Sequence, residues 1–324
     1  MSETHWEKAG QPEAVLTFGE TMGLFRTSPA GPLANANAAS VGVGGSESNV
    51  AIGIQRLGGQ AIWCGRVGED PIGYRVLREI RGEAVLAHAV IDTTAPTGLM
   101  VKEQRTNQHQ RVMYYRAGSA GSKLEPSDIP DPILERAGTV HLTGITLALS
   151  DSARATCFSM ARRAKARGLK VSFDVNYRAQ LWSQSDATRV ITEILALVDI
   201  VFAGEDEAQM IVGEGDPVTL AERMSLLGPA EVVIKRGSEG ALALDNGVVS
   251  EVSAIQIQVI DTVGAGDAFV SGYLTERCAG GTVQQALATA VRVGAFACLS
   301  PGDWEGLPSR AELHVLDSSE PVLR

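Results

Sequence analysis

Residues 139–176 read TVHLTGITLALSDSARATCFSMARRAKARGLKVSFDVN. TVHLTGI is a short apolar run ending at glycine, the pattern of a buried strand. SDSARATCFSMARRAKARG opens on residues able to cap, keeps small and apolar residues at helical spacing, and closes on glycine. KVSFDVN is a second strand. Strand, helix, strand in that order asks for parallel pairing with the helix packed on one face.

The same rhythm extends outward in both directions. SDATRVITEILALV is a helix, DIVFAG a strand, EDEAQMIVG a helix, and AEVVIKRG ends another strand. Toward the amino terminus, AVLTFG and AIWCGRVG read as strands, with helices in GGSESNVAIGIQRLGG (about Ser48 to Leu57) and DPIGYRVLREIRG. The fold class is therefore α/β: a mostly parallel sheet with helices on both faces. Two stretches break the rhythm. Residues 20–43 are turn-rich and alternating, and within residues 92–117 the runs TGLMVKEQ and QRVMYYR, joined by RTNQH, read as a hairpin. Being alike in character, they are expected to form one small discontinuous β lid; two unrelated surface hairpins are the alternative. The remaining expectation is a single domain over 13–316, with loose tails at 1–12 and 317–324.

The chain has 324 residues, 44% hydrophobic and 20% charged, with 35 glycines, enough for one large α/β domain or two ordinary ones. A net charge of −10 argues against nucleic acid or an anionic membrane as partner, without excluding a small anion in a local basic pocket. Cys64, Cys157, Cys278 and Cys298 form no CxxC pair and read as reduced core residues. No apolar run reaches the roughly 18–20 residues that span a bilayer, and MSETHWEKAGQPEA has no signal-peptide core, so a cytoplasmic protein is expected. His5, His88, His109 and His141 lack metal-ligand spacing, and His314 lies near the tail.

Chemistry is concentrated in DTVGAGDAFVSGYL, residues 261–274. The N–H groups of Gly264, Ala265 and Gly266 can form an anion nest at a helix start, reinforced by the helix dipole. The string lacks the Gly-Lys-Ser/Thr of a P-loop. Asp267, an acid beside an anion nest, is placed to deprotonate an attacking hydroxyl as a phosphoryl group arrives. Taken alone, the string favours the plainer reading of a capping aspartate.

The wider string resembles a signature of the ribokinase/phosphofructokinase-B family of carbohydrate kinases, Asp-Thr-x-Gly-Ala-Gly-Asp-x-x-x-Ser-Gly, from Asp261 to Gly272. The family's other signature is matched by Gly44, Gly45, Asn49, Ala51, Gly58 and Gly68, and the resemblance runs from about Val15 to Leu307. It implies a Rossmann-like, ribokinase-like domain with a β lid that commonly forms a dimer interface, hence a homo-oligomer. It also implies Asp267 as catalytic base, Gly264–Gly266 as anion hole, and Lys235, Gly237 and Gly240 near ATP. Asp261 and Val263 fall in a loop that often binds a monovalent cation such as K+. The family's Asn-x-x-Glu appears with Gly204 in the Asn position and Glu207 as the acid, which would reach Mg2+ through water, with Glu205 and Asp206 as neighbours able to share that contact.

At the acceptor end, Tyr114 and Arg116 are expected on one face of a strand, and Arg178 ends SFDVNYR. Two guanidinium forks suit a carboxylate or phosphate; a neutral hexose needs neither. VMYYRAGSAGSKL and DVNYR resemble the 2-keto-3-deoxygluconate kinases of the family, and GETM and Glu47 point the same way. By that resemblance Gly45, Asn49, Tyr114, Arg116, Arg178 and Asp303 bind the sugar acid, and Asn176 lies near ATP or substrate. Met100 stands where a tyrosine often touches the sugar, replacing a hydroxyl with a thioether. The expected function is ATP-dependent phosphorylation of a sugar acid, 2-keto-3-deoxygluconate, to its 6-phosphate. A kinase of fructose or a related deoxy keto acid, and a non-catalytic sugar or nucleotide sensor, are the alternatives; an intact GAGD string argues against the sensor.

Overall fold

The computed structural model describes residues 14–106 and 109–317. Residues 1–12 and 318–324 of the expected tails lie outside these, as do His5 and the centre of the RTNQH turn. Asp317 ends a 3-10 helix, Arg310–Asp317. In chain order the strands are β1 Ala14–Phe18, β2 Met22–Thr27, β3 Ala39–Gly44, β4 Ala61–Gly68, β5 Leu86–Asp92, β6 Leu99–Gln104 and β7 Gln110–Tyr115. They continue as β8 Ala137–Thr143, β9 Lys170–Asp174, β10 Ile200–Gly204, β11 Glu231–Lys235, β12 Ala241–Asp245 and β13 Val248–Val252.

Nine of them make one sheet in the order β13-β12-β11-β10-β9-β8-β1-β4-β5. From β11 across to β5 every pairing is parallel. β12 and β13 run antiparallel at one edge, because their connections are too short to hold a crossover helix. The β12–β13 link, Asn246-Gly247, has φ of +47° and +84°, as a two-residue hairpin of matching twist needs.

β1 and β8 are buried at every position; β1 reads as a nearly unbroken apolar run, while β8 sets Thr139, His141 and Thr143 between its apolar residues. Alternate side chains feed two cores. Leu16, Phe18 and Leu142 pack with the helices Asp151–Ala166, Gln184–Leu195 and Pro217–Ser225 on one face. Val15, Trp63 and Phe202 pack with Ser46–Arg56, Ala265–Cys278 and Val283–Ala297 on the other. Cys64 and Cys157 are buried and Cys278 and Cys298 half-buried, and none of them forms a disulfide. Among the described residues no helix is long and apolar enough to cross a membrane.

The two irregular stretches join. β3-β2-β6-β7 form a second sheet in which β2 pairs parallel with β6, so two segments far apart in sequence share one structure. Met22, Leu24 and Met100 fill its small core.

Candidate active site

The chain leaves β1 toward β4 and β5 on one side and returns to β8, β9, β10 and β11 on the other. A crevice opens where this order reverses, at the carboxyl ends of the strands. A cavity of about 1,590 Å³ occupies it, roofed by the second sheet.

At one end stands the helix Ala265–Cys278. Its N-cap, Gly264, has φ +77°, and a Cβ there would lie 2.1 Å from the Asp303 carbonyl oxygen, so glycine is required twice over. Gly264 and Gly266 line the cavity; Ala265 sits in the first turn away from its wall. The helix is fixed from behind: Tyr273 packs edge-on against Phe202 at 5.2 Å and donates to Glu231, which also accepts from Arg277.

Asp267 is buried in the cavity floor. Ser46 Oγ donates to its Oδ1 at 2.6 Å and Asn49 Nδ2 to its Oδ2 at 2.8 Å. Asn176, at φ +36°, donates to Ser46 Oγ at 2.9 Å and reaches Asp267 Oδ1 at 3.5 Å. Burial pushes the Asp267 carboxyl up to about 7, against the lowering effect of the Ser46 and Asn49 hydrogen bonds. Asp174, at the end of β9, adds to the rise, and Arg178 opposes it.

Lys235, ending β11, donates to Asp174 at 2.7 Å and faces Gly266. Burial disfavours its charge, but Asp174 and Glu207 outweigh this and hold it above the usual lysine range. Glu207 lines the cavity with both oxygens engaged: Oε1 accepts from Tyr177 N at 2.8 Å and Oε2 from Gly204 N at 2.7 Å. Gly204 caps that helix and stands off the cavity. Gly237 and Gly240, with φ of +54° and +101°, build the turn between β11 and β12, and neither lines the cavity.

At the other end Gly45 precedes the helix Ser46–Arg56; a Cβ there would come within 2.4 Å of the Glu20 carbonyl oxygen. Tyr114, Arg116, Arg178, Met100 and Asp303 all line this end. The Arg116 guanidinium lies 5.7 Å from the Tyr114 ring centre and binds Glu20 Oε2 through Nε and Nη2, both at 2.7 Å. Arg178 is exposed, and among the described residues it has no carboxylate partner. Asp303 is paired with the buried Lys102. Glu47 turns away into the body of the domain, where Thr143 and Thr146 both donate to it at 2.5 Å.

The structure thus gathers every expected site residue around one cavity except Ala265, Gly204, Glu205, Asp206, Gly237, Gly240 and Asp261. It adds Ser46, Asp174, Glu20 and Lys102. Ser46 and Glu20 sit inside motifs already singled out, so adjacency to Gly45 and to GETM was an available signal. Asp174 precedes Asn176 on the same loop. Lys102 reads locally as one polar residue in an alternating strand and carries no signal.

The profile of pfkB family carbohydrate kinases matches residues 13–310. The 2-dehydro-3-deoxygluconokinase of Bacillus subtilis (strain 168) is 34% identical over 92% of this chain and 94% of its own length. A fructokinase of Klebsiella pneumoniae is 32% identical over 83% and 90%. The crystal structure of a PfkB protein from Polaromonas sp. JS666 superposes with a TM-score of 0.85 at 33% identity, covering 93% of this chain and 99% of that one. The chain belongs to the pfkB family of carbohydrate kinases. It is a phosphotransferase that acts on a sugar hydroxyl.

Proposed function

We propose that the enzyme transfers the terminal phosphoryl group of ATP to the primary hydroxyl of 2-keto-3-deoxygluconate, giving the 6-phosphate. Arg178 carries this reading. Arg116 is already closed on Glu20 and Lys102 on Asp303, which leaves Arg178, with Arg111 of β7, as cations that line the cavity without an ion pair among the described residues. One guanidinium fork matches one carboxylate. The similarity to the Bacillus 2-dehydro-3-deoxygluconokinase supports the same acceptor.

Asp267 takes the proton as the hydroxyl oxygen attacks the γ-phosphorus, and the bridging oxygen leaves with ADP. Gly264 and Gly266, which line the cavity, and the Lys235 ammonium face the charge gathered on the transferring group, whereas the Ala265 N–H, expected in the nest, donates to the Thr262 carbonyl at 3.2 Å. Among the described residues no cluster of three His, Cys, Asp or Glu could hold a metal by itself. Mg2+ carried by the nucleotide phosphates would be approached through water by Glu207 and Asp174, which line the cavity. Mg2+ neutralises phosphate charge when bound. Asp261 Oδ2 is buried with no hydrogen-bond partner, while Oδ1 accepts from Val263 N. Such an orphaned oxygen fits a monovalent cation behind the nest. We also place the enzyme in the cytoplasm, where ATP is supplied, and assign it a homo-oligomer joined through the second sheet.

Met100 and the fructokinase relative favour a neutral ketose as the second reading. A coupled kinase assay over deoxy keto acids and fructose separates them. The sugar acid is expected to lead in kcat/KM by about a hundredfold or more, the scale of an unsatisfied polar site. Arg178→Lys should raise the KM of the acid by about tenfold and leave a neutral analogue unchanged. Fructose as the better substrate, or equal effects of the substitution on both, would sink the carboxylate pocket.

A further inference from the structure

β6 alternates, so Met100 and Lys102 share one face, and both are buried and line the acceptor end. Lys102 is 1% exposed, yet it is a lysine in a sheet whose core is Met22, Leu24 and Met100. Its ammonium donates to Asp303 Oδ1. Asp303 sits in a loop tied down on several sides: Trp304 Nε1 donates to the Val43 carbonyl at 3.0 Å, and Arg56 donates to the carbonyls of Trp304 and Leu307. Its other oxygen lies 2.3 Å from where a Cβ on Gly44 would be, so only glycine leaves it room. A buried ion pair is not more stabilising than apolar residues of the same size. Stability therefore does not account for a lysine here.

We propose that Lys102 is a specificity-determining positioning residue, holding Asp303 ionised and aimed into the acceptor end, where it accepts hydrogen bonds from the hydroxyls of the sugar. This rests on the sugar-kinase reading of the acceptor end given above. A carboxyl buried without a cation takes up a proton and becomes a donor. Burial does push Asp303 upward; Lys102 from β6 and Arg26 from β2 oppose it, and Glu305 on its own loop adds to it. Lys102 supplies the direct ion pair.

The test measures KM for sugar acid and for ATP between pH 6 and 9. At pH 7, Lys102→Met should raise the sugar KM by about tenfold and the ATP KM by less than about threefold. The excess should shrink as pH rises, because unpaired Asp303 ionises only at higher pH. Lys102→Arg should keep the flat profile of the unchanged enzyme. Asp303→Asn and the double variant Lys102→Met/Asp303→Asn should share one raised, pH-independent sugar KM, since Lys102 acts through Asp303. The double variant also covers the case in which Lys102→Met does not fold, because it leaves no unpaired charge. A sugar KM in Lys102→Met within about twofold of the unchanged enzyme overturns the proposal. So does an equal rise for ATP and sugar without a pH trend, or a further rise from Asp303→Asn to the double variant. If the unchanged enzyme prefers a neutral ketose, the carboxylate reading fails, and the same series run with that ketose still decides the role of Lys102.

Discussion

Asp267 meets two opposing demands. As the proposed base it must lose its proton, yet the floor that orients it through Ser46 and Asn49 is too dry to welcome the charge. With its carboxyl raised to about 7, kcat/KM for the acceptor should fall as pH drops below that value. Asp267→Asn should cut turnover by about a hundredfold or more. Stability moves the other way. The folded-state value lies above the unfolded 3.8, so the folded form binds the proton more tightly. The resulting stability is complete below about pH 4 and lost as pH rises through about 7. Ligand-free Asp267→Asn should therefore melt higher at pH 8, by up to roughly 4 kcal/mol of stability, and gain nothing at pH 4. Melting curves at the two pH values check this, and a variant no more stable at pH 8 would remove the burial argument.

At the level of elements, the turn before Ala265–Cys278 shows how much a single glycine carries. Gly264→Ala meets both a left-handed φ and a Cβ pressed on the Asp303 carbonyl, so the loop must move. Turnover should fall by about a hundredfold, the scale of losing an oxyanion donor. Gly168→Ala is the control: φ is +72° but nothing lies within 4 Å, so it should cost about 1–2 kcal/mol of stability and leave turnover unchanged. Equal activity in both variants would detach the nest from catalysis. The GAGD turn was legible in the sequence because one helix start holds the whole device. So were β1, β10 and β11, whose burial on both faces leaves short apolar runs, and β8 and β9, which were read from their place in the strand–helix alternation. β5 was not, since Leu86–Asp92 is a half-exposed edge strand without that pattern. Glu20, Asp174 and Lys102 were not assigned roles either. Their partners lie 96, 61 and 201 positions away, and no local pattern encodes an ion pair across such distances.

For the whole molecule, the second sheet presents apolar side chains outward, as Leu226 and Val248 do elsewhere on the surface. Tyr115 on β7 is 62% exposed and Val41 on β3 is 37% exposed. An oligomer joined through this sheet would cover them. Tyr115→Asp should then shift the species seen in sedimentation toward monomer and weaken apparent sugar affinity, because Tyr114 and Arg116 stand beside it. A monomer for the unchanged chain at micromolar concentration would set the arrangement aside.

Asp267 is held by Ser46 from 221 positions earlier and by Asn49 from 218. During translation the residues that cradle the acid leave the ribosome long before the acid itself. A chain released after β11 would carry the guanidinium groups and most of the sheet but neither nest nor base. If Asp267 is the base, such a chain has no group to activate an acceptor hydroxyl.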